Sequence, residues 1–254
     1  MNGEHIVQLM RDAVVPGRRP AVFLSGGLDS TILLHHLHEK VEEPIRTYTA
    51  YWGTDDDETK YARELAEIYG TKHTEVHIQG IFEMFKKLLP HVDRPHRFNL
   101  WPAFLYEAAA ADLCENVYVA EGPDEHFGGY WYKEPATYQE YWSGVLEYSV
   151  PTHAALSSLY GVKLNMPFIR LDIRETLPYY DYKHRNKELL RILYQEIIPD
   201  FVLRRKKQPG RTPWLELWDT EAAPYIGGPR PTTRQEAHKL IERWVIKHWL
   251  DCQL

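Results

Sequence analysis

Apolar and polar positions follow two different rhythms along roughly the first 120 residues, and each change of rhythm marks an element. The run Ala21-Val22-Phe23-Leu24 is apolar without interruption, as in a strand buried on both faces, and leads through Ser25-Gly26-Gly27 into a helix-like segment from Thr31 to Glu39. Ile45 to Tyr51 suits a strand, Glu58 to Tyr69 has helical spacing and stops at Gly70, and His73 to Ile78 alternates again. Phe82 to Leu89 and Ala103 to Leu113 read as helices, with Asn116 to Ala120 as another short strand. This order predicts an α/β fold, a parallel sheet covered by helices on both faces. Past about residue 135 the pattern turns helical. One late helix starts at a capping box made by Thr233 and Glu236 and carries apolar Leu240, Trp244 and Ile246. We expect a single domain over residues 1–254, with an α/β core at about 20–135 and a mainly helical extension at about 136–254.

Composition narrows the class without changing that picture. At 254 residues, 44% hydrophobic and 26% charged, the chain is long enough to bury a substantial core. No stretch approaches the length of a membrane span. The start Met1-Asn2-Gly3-Glu4-His5 has no basic then apolar leader, so a cytoplasmic protein without membrane partners is expected. Cys114 and Cys252 lie far apart without CxxC spacing and read as free thiols. A net charge of −6 argues against a nucleic-acid partner, and the scattered tryptophans and tyrosines belong to core packing rather than base stacking. His35 and His38 share a helix face that His36 does not, which argues against a metal site there. Asp55-Asp56-Asp57-Glu58 lacks the glycine and spacing of a calcium loop and reads as a helix entry.

The chemistry concentrates in two places. In Ser25-Gly26-Gly27-Leu28-Asp29-Ser30 the adjacent glycines let backbone N–H groups turn inward around an anion, and the hydroxyls of Ser25 and Ser30 add donors. The helix that follows points its positive end at the same place. Asp29, which when ionised only accepts hydrogen bonds, makes sense there as a ligand for the Mg²⁺ that accompanies ATP. The loop is not of the G-x-x-x-x-G-K-[ST] type, so cleavage of ATP to AMP and pyrophosphate is predicted rather than γ-phosphoryl transfer. The second place is Glu121-Gly122-Pro123-Asp124-Glu125-His126-Phe127-Gly128-Gly129-Tyr130, directly after a predicted strand. Parallel sheets bind ligands beyond the carboxyl ends of their strands, where both segments would emerge. Clustered acids there call for a compensating cation, which makes Asp124 the second metal ligand.

Together these two segments resemble the synthetase domain of asparagine synthetases and their β-lactam synthetase relatives. The likeness continues through Gly70-Thr71-Lys72-His73, Pro167-Phe168, and Lys187-Glu188-Leu189-Leu190-Arg191 to Pro199, Arg205 and Lys207, so it covers about residues 20 to 215. It implies an adenine nucleotide α-hydrolase-like fold and an adenylation mechanism. A carboxylate would attack the α-phosphorus of ATP, pyrophosphate would leave, and ammonia or an amine would then displace AMP to form an amide. By position the resemblance assigns Ser25, Gly26, Gly27, Asp29 and Ser30 to the nucleotide, Asp29 and Asp124 to Mg²⁺, Lys207 to charge on the α-phosphate, and Glu121 to a place near the substrate or the incoming nitrogen. On its own, Arg204-Arg205-Lys206-Lys207 reads equally as a solvated basic face, and Lys206 competes for the role of Lys207.

The departures bear on the substrate. Asparagine synthetases carry an N-terminal glutaminase, whereas this chain reaches the ATP loop within about 25 residues, so nitrogen is expected from ammonia, an amine or a separate glutaminase. Arg97-Phe98-Asn99-Leu100 stands where the family grips aspartate, with the arginine out of register, and Lys163, Asn165, Ile169 and Arg170 replace typical residues around Pro167-Phe168. Arg97, Lys163 and Arg170 are candidates for holding a different anionic group, with ordinary surface charge as the alternative. Two other functions remain open on sequence grounds, an ATP pyrophosphatase that modifies a nucleic-acid base and a non-catalytic binding protein on the same fold.

Overall fold

The computed structural model describes residues 3–53, 59–92, 100–129, 138–171, 186–205 and 212–253. Its centre is a five-stranded, all-parallel sheet: β1 (Pro20–Phe23), β2 (Arg46–Tyr51), β3 (Lys72–His77), β4 (Asn116–Tyr118) and β5 (Lys163–Asn165), in the order β3-β2-β1-β4-β5. The helices are α1 (Gly3–Ala13), α2 (Leu28–His38), α3 (Thr59–Ile68), α4 (Ile81–Leu88), α5 (Ala103–Ala111), α6 (Pro123–Phe127), α7 (Tyr138–Gly144), α8 (Val150–Leu159), α9 (Glu188–Leu193), α10 (Asp200–Arg204), α11 (Trp214–Leu217), α12 (Ala223–Ile226) and α13 (Arg234–Gln253). A π turn joins α7 to α8 and another joins α11 to α12.

The pleat of the sheet sorts its side chains into two cores. Ala21, Tyr48, Val117 and Val119 join one cluster with Phe82, Phe85 and Tyr106 of α4 and α5, Leu156 of α8, and Ile241 and Trp244 of α13. Val22, Leu24 and Tyr118 face the other, with Ile6 and Met10 of α1, Ile32, Leu33 and Leu37 of α2, Leu65 of α3 and Leu190 of α9. Helix α2 is buried nearly all round, as expected of an apolar helix packed on the centre of a sheet. At one edge β3 alternates exposed and half-buried positions and carries Lys72, Glu75 and His77, charges and polar groups that blunt an open edge.

Two sequence expectations need correction. The sheet continues past residue 135: Lys163–Asn165 is too short and too polar to announce a strand, and it becomes one because Asn116, Val117 and Tyr118 pair with it in register. The capping box of α13 is present, with Glu236 N donating to Thr233 Oγ1 at 3.2 Å and Thr233 N to Glu236 Oε2 at 3.3 Å. Its buried stripe, however, is Ala237, Ile241, Trp244 and Val245, while Leu240 is only partly buried and Ile246 is exposed. The Asp55 to Glu58 segment read as a helix entry lies outside the described residues. Among the described residues no helix is long and apolar enough to cross a membrane, and both cysteines are free, Cys114 buried and Cys252 exposed.

Candidate active site

Strand β1 has neighbours on both sides, β2 and β4, so the chain leaves its carboxyl end at the point where connections diverge in opposite directions. Leu24 N still bonds Tyr48 O at 2.9 Å, after which Gly26 turns into the left-handed region (φ 68°). A Cβ at Gly26 would lie 2.6 Å from Tyr61 Cβ and 2.9 Å from the Ala62 backbone nitrogen, so α3 approaches too closely for any other residue. Gly27 caps α2 without a side-chain bond to the helix's first N–H groups. The two serines brace the loop: Ser25 N donates to Ser30 Oγ at 3.2 Å, the two hydroxyl oxygens lie 3.1 Å apart, and Gly27 N donates to Ser25 Oγ at 3.3 Å. Thr31 Oγ1 adds a bond to Gly27 O at 2.7 Å.

The second motif follows β4. Gly122 (φ 112°) swings the chain into α6, and a Cβ there would meet the Phe168 carbonyl oxygen at 2.7 Å. His126 Nε2 lies 3.0 Å from the same carbonyl, which ties this turn to the Pro167-Phe168 segment. The motif thereby divides. Glu121 and Asp124 line a cleft of about 740 Å³ shared with Ser25, Gly27, Asp29 and Ser30, whereas Glu125 and His126 are buried behind it. The titratable groups of this one motif therefore stand at two depths, because within α6 successive side chains turn to different sides and Asp124 faces the cleft while Glu125 and His126 do not.

A lysine missing from the sequence-based site joins the two motifs. Lys187 Nζ lies 2.6 Å from Asp29 Oδ2 and 2.8 Å from Asp124 Oδ1, with its side chain only 3% exposed. Asn186 and Lys187 both adopt positive φ (44° and 57°), a strain kept at the entry to α9. Arg191, one turn further on, clamps that entry: its guanidinium group donates to the carbonyls of Asn186, Leu203 and Arg205. Arg205 in turn donates to Gly26 O at 2.8 Å and stacks over Tyr61, with 4.3 Å to the ring centroid. Of the basic run, Arg205 thus braces the Ser25 to Ser30 loop. Lys206, Lys207 and Arg211 lie outside the described residues, as does Arg97. Nothing in local periodicity marks Lys187 as a site residue, and its pairing across 158 positions with Asp29 exists only in the folded chain.

Of the remaining candidates, Lys163 sits at the amino end of β5, paired with Asn116 and exposed, at the opposite end of the sheet from the cleft. Arg170 is also exposed, and neither lines the cleft. On α2, His35 and His38 share a face as expected, both packing on Tyr69 with ring centroids 6.2 and 5.5 Å away, while His35 also meets His36. His36 Nδ1 and His35 Nε2 both approach Glu39, at 3.2 and 3.7 Å, and His36 Nε2 meets Tyr194 OH at 2.7 Å, so the group links α2 to α9. Burial lowers the His36 pKa to about 4.

Two acids, a lysine between them and a glycine loop at a helix N-terminus thus all open on one cleft. The asparagine synthase family model matches residues 4–171, and the chain belongs to this family, one of ATP-utilising amidating synthetases. No curated protein sequence matches it significantly. Among the solved structures similar to it are two of low identity. One is an NMN synthetase from Francisella tularensis, at 14% identity over 99% of this chain and 93% of that one, with a TM-score of 0.49. The other is an NH₃-dependent NAD synthetase from Campylobacter jejuni subsp. jejuni, in complex with the nitrate ion, at 16% identity over 84% of this chain and 100% of that one, with a TM-score of 0.38.

Proposed function

We propose that the protein is an AMP-forming ligase that adenylates a carboxylate and passes the acyl group to ammonia or an amine. The observation that carries this reading is the junction of Asp29, Asp124 and Lys187 beside the Ser25 to Ser30 loop, with Glu121 in the same cleft. The Ser25 to Ser30 loop, the start of α2 and the Lys187 ammonium would hold the leaving pyrophosphate. Asp29 and Asp124, two hard oxygen donors from separate loops, fit the Mg²⁺ that enters with ATP, which supplies charge neutralisation at the phosphates. Lys187 now occupies the space between them, and in the loaded site it would turn its ammonium toward phosphate oxygens. Glu121, 32% exposed, would accept a proton from the nitrogen that attacks the acyl carbon. Lys207 remains our candidate for the cation at the α-phosphate. The substrate is a small-molecule carboxylate, which the cleft volume suits; a cytoplasmic setting and delivery of ammonia by a separate glutaminase complete the proposal.

Carboxylate-dependent exchange of labelled pyrophosphate into ATP tests the adenylation step. With Mg²⁺ and amino acids led by aspartate as probes, one carboxylate should stimulate exchange, and Asp29→Ala and Asp124→Ala should abolish it. ATP binding without exchange for any carboxylate would overturn the reading.

A further inference from the structure

A buried histidine opens on the cleft beside Glu121 and takes no part in the nucleotide chemistry above. His153 lies on α8, packed under Tyr106 of α5, and its Nδ1 is 2.9 Å from the Tyr106 hydroxyl. Its other ring nitrogen, Nε2, faces Glu121 Oε1 at 3.9 Å, and both side chains line the cleft. Tyr106 is itself fully buried, with its ring edge against Phe23 at 4.9 Å between centroids, so the hydroxyl has little freedom to seek other partners. Burial keeps that phenol protonated, so it can donate to His153 Nδ1. Burial also lowers the His153 pKa to about 4, so the ring is neutral at neutral pH, and a phenol that donates to Nδ1 leaves the one ring proton on Nε2. The remaining N–H therefore points at the carboxylate.

We propose that His153 is a positioning residue for Glu121: its Nε2–H, held in that tautomer by the Tyr106 hydroxyl, orients the Glu121 carboxylate toward the nitrogen nucleophile. The inference rests on the amide-forming reading. In the step concerned, the nitrogen lone pair forms the C–N bond, the acyl carbon–oxygen bond to AMP breaks with its electron pair on the phosphate, and the surplus N–H proton passes to Glu121. His153 stays neutral throughout. A separation of 3.9 Å closes to a hydrogen bond by rotation of the carboxylate, as catalytic contacts do when substrate fills a site. A histidine serving only to fill the core would have both nitrogens turned to buried partners, whereas this one spends its second nitrogen on the cleft.

Two measurements on the full chain test the proposal. In ¹⁵N-histidine NMR, with the resonances assigned through His153→Gln, His153 should show the neutral Nε2–H tautomer at neutral pH and stay neutral through its ordinary value of 6.5. Its signals should shift in Glu121→Gln and lose the fixed tautomer in Tyr106→Phe. An Nδ1–H tautomer, or signals indifferent to Glu121→Gln, would overturn the assignment. The second measurement is the ratio of AMP formation with ammonium chloride to pyrophosphate exchange, using the carboxylate that supports exchange in the unaltered chain. His153→Leu should lower this ratio at least ~10-fold, and His153→Gln, whose amide can both donate to Glu121 and accept from Tyr106, should restore it to within ~3-fold. Equal losses in both half-reactions, or no rescue by glutamine, would reduce His153 to a packing role. If no carboxylate supports exchange, the amide-forming reading fails by itself, and the NMR arm still decides whether His153 holds Glu121.

Discussion

Lys187 holds two acids together at a backbone conformation that non-glycine residues seldom adopt, and its ammonium is nearly sealed from water. Removing it leaves two carboxylates in a partly desolvated space without that cation. We therefore expect Lys187→Met to cost about 3–5 kcal/mol in urea unfolding at neutral pH. Pyrophosphate exchange should fall by roughly 100-fold or more through loss of charge at the leaving group. Lys187→Arg should not rescue exchange, because a planar guanidinium cannot sit as a point charge between the two oxygens. The buried histidines predict a different pH response. His36 and His153 have folded-state pKa values lowered to about 4 from 6.5, so the unfolded chain takes up their protons first. Their contribution is fully present above 6.5 and is lost as pH falls toward 4. The loss is on the order of 3 kcal/mol for each residue at most. Thermal melts at stepped pH should show a falling midpoint across this window, and His153→Gln should flatten the slope.

At the scale of elements, the site depends on two tight turns that leave no room for side chains. Gly129 follows α6, and a Cβ placed there would lie 1.7 Å from Asp124 Oδ1 and 2.6 Å from Asp124 Cγ. Gly129→Ala should push Asp124 out of the cleft while leaving most of the core intact. Exchange should then fall nearly as far as in Asp124→Ala, with a melting temperature within a few degrees of the parent, roughly a 1 kcal/mol change. A fully active Gly129→Ala would mean that Asp124 is not needed at its present position. The glycines of both motifs were visible in the sequence as turn signals, and so was the strand before each. That these turns exclude a Cβ because α3 and the Phe168 backbone press against them was not, since both neighbours come from distant parts of the chain.

For the whole molecule, the two cores share one sheet, and the C-terminal helix closes one of them: Trp244 packs edge-on to Phe82 at 4.8 Å and also against Tyr225. We propose that residues 1–254 unfold as one unit, so urea transitions followed by tryptophan fluorescence and far-UV circular dichroism should coincide; separate transitions would divide the chain into domains. Trp244→Ala should destabilise that unit by about 3–5 kcal/mol. Local sequence was sufficient to determine the alternation of strands and helices from β1 to β4, the two glycine motifs and the capping box of α13, because periodicity, capping and loop chemistry act over a few residues; the first helix, α1, went unread. β5 escaped it, since one exposed and two half-buried residues form a strand only when β4 supplies the hydrogen bonds. The partnership of Lys187 with two acids and the facing of His153 and Glu121 were likewise decided by tertiary structure alone. Such contacts join side chains from separate elements, and their distances are set by the packing of helices on the sheet rather than by spacing along the chain.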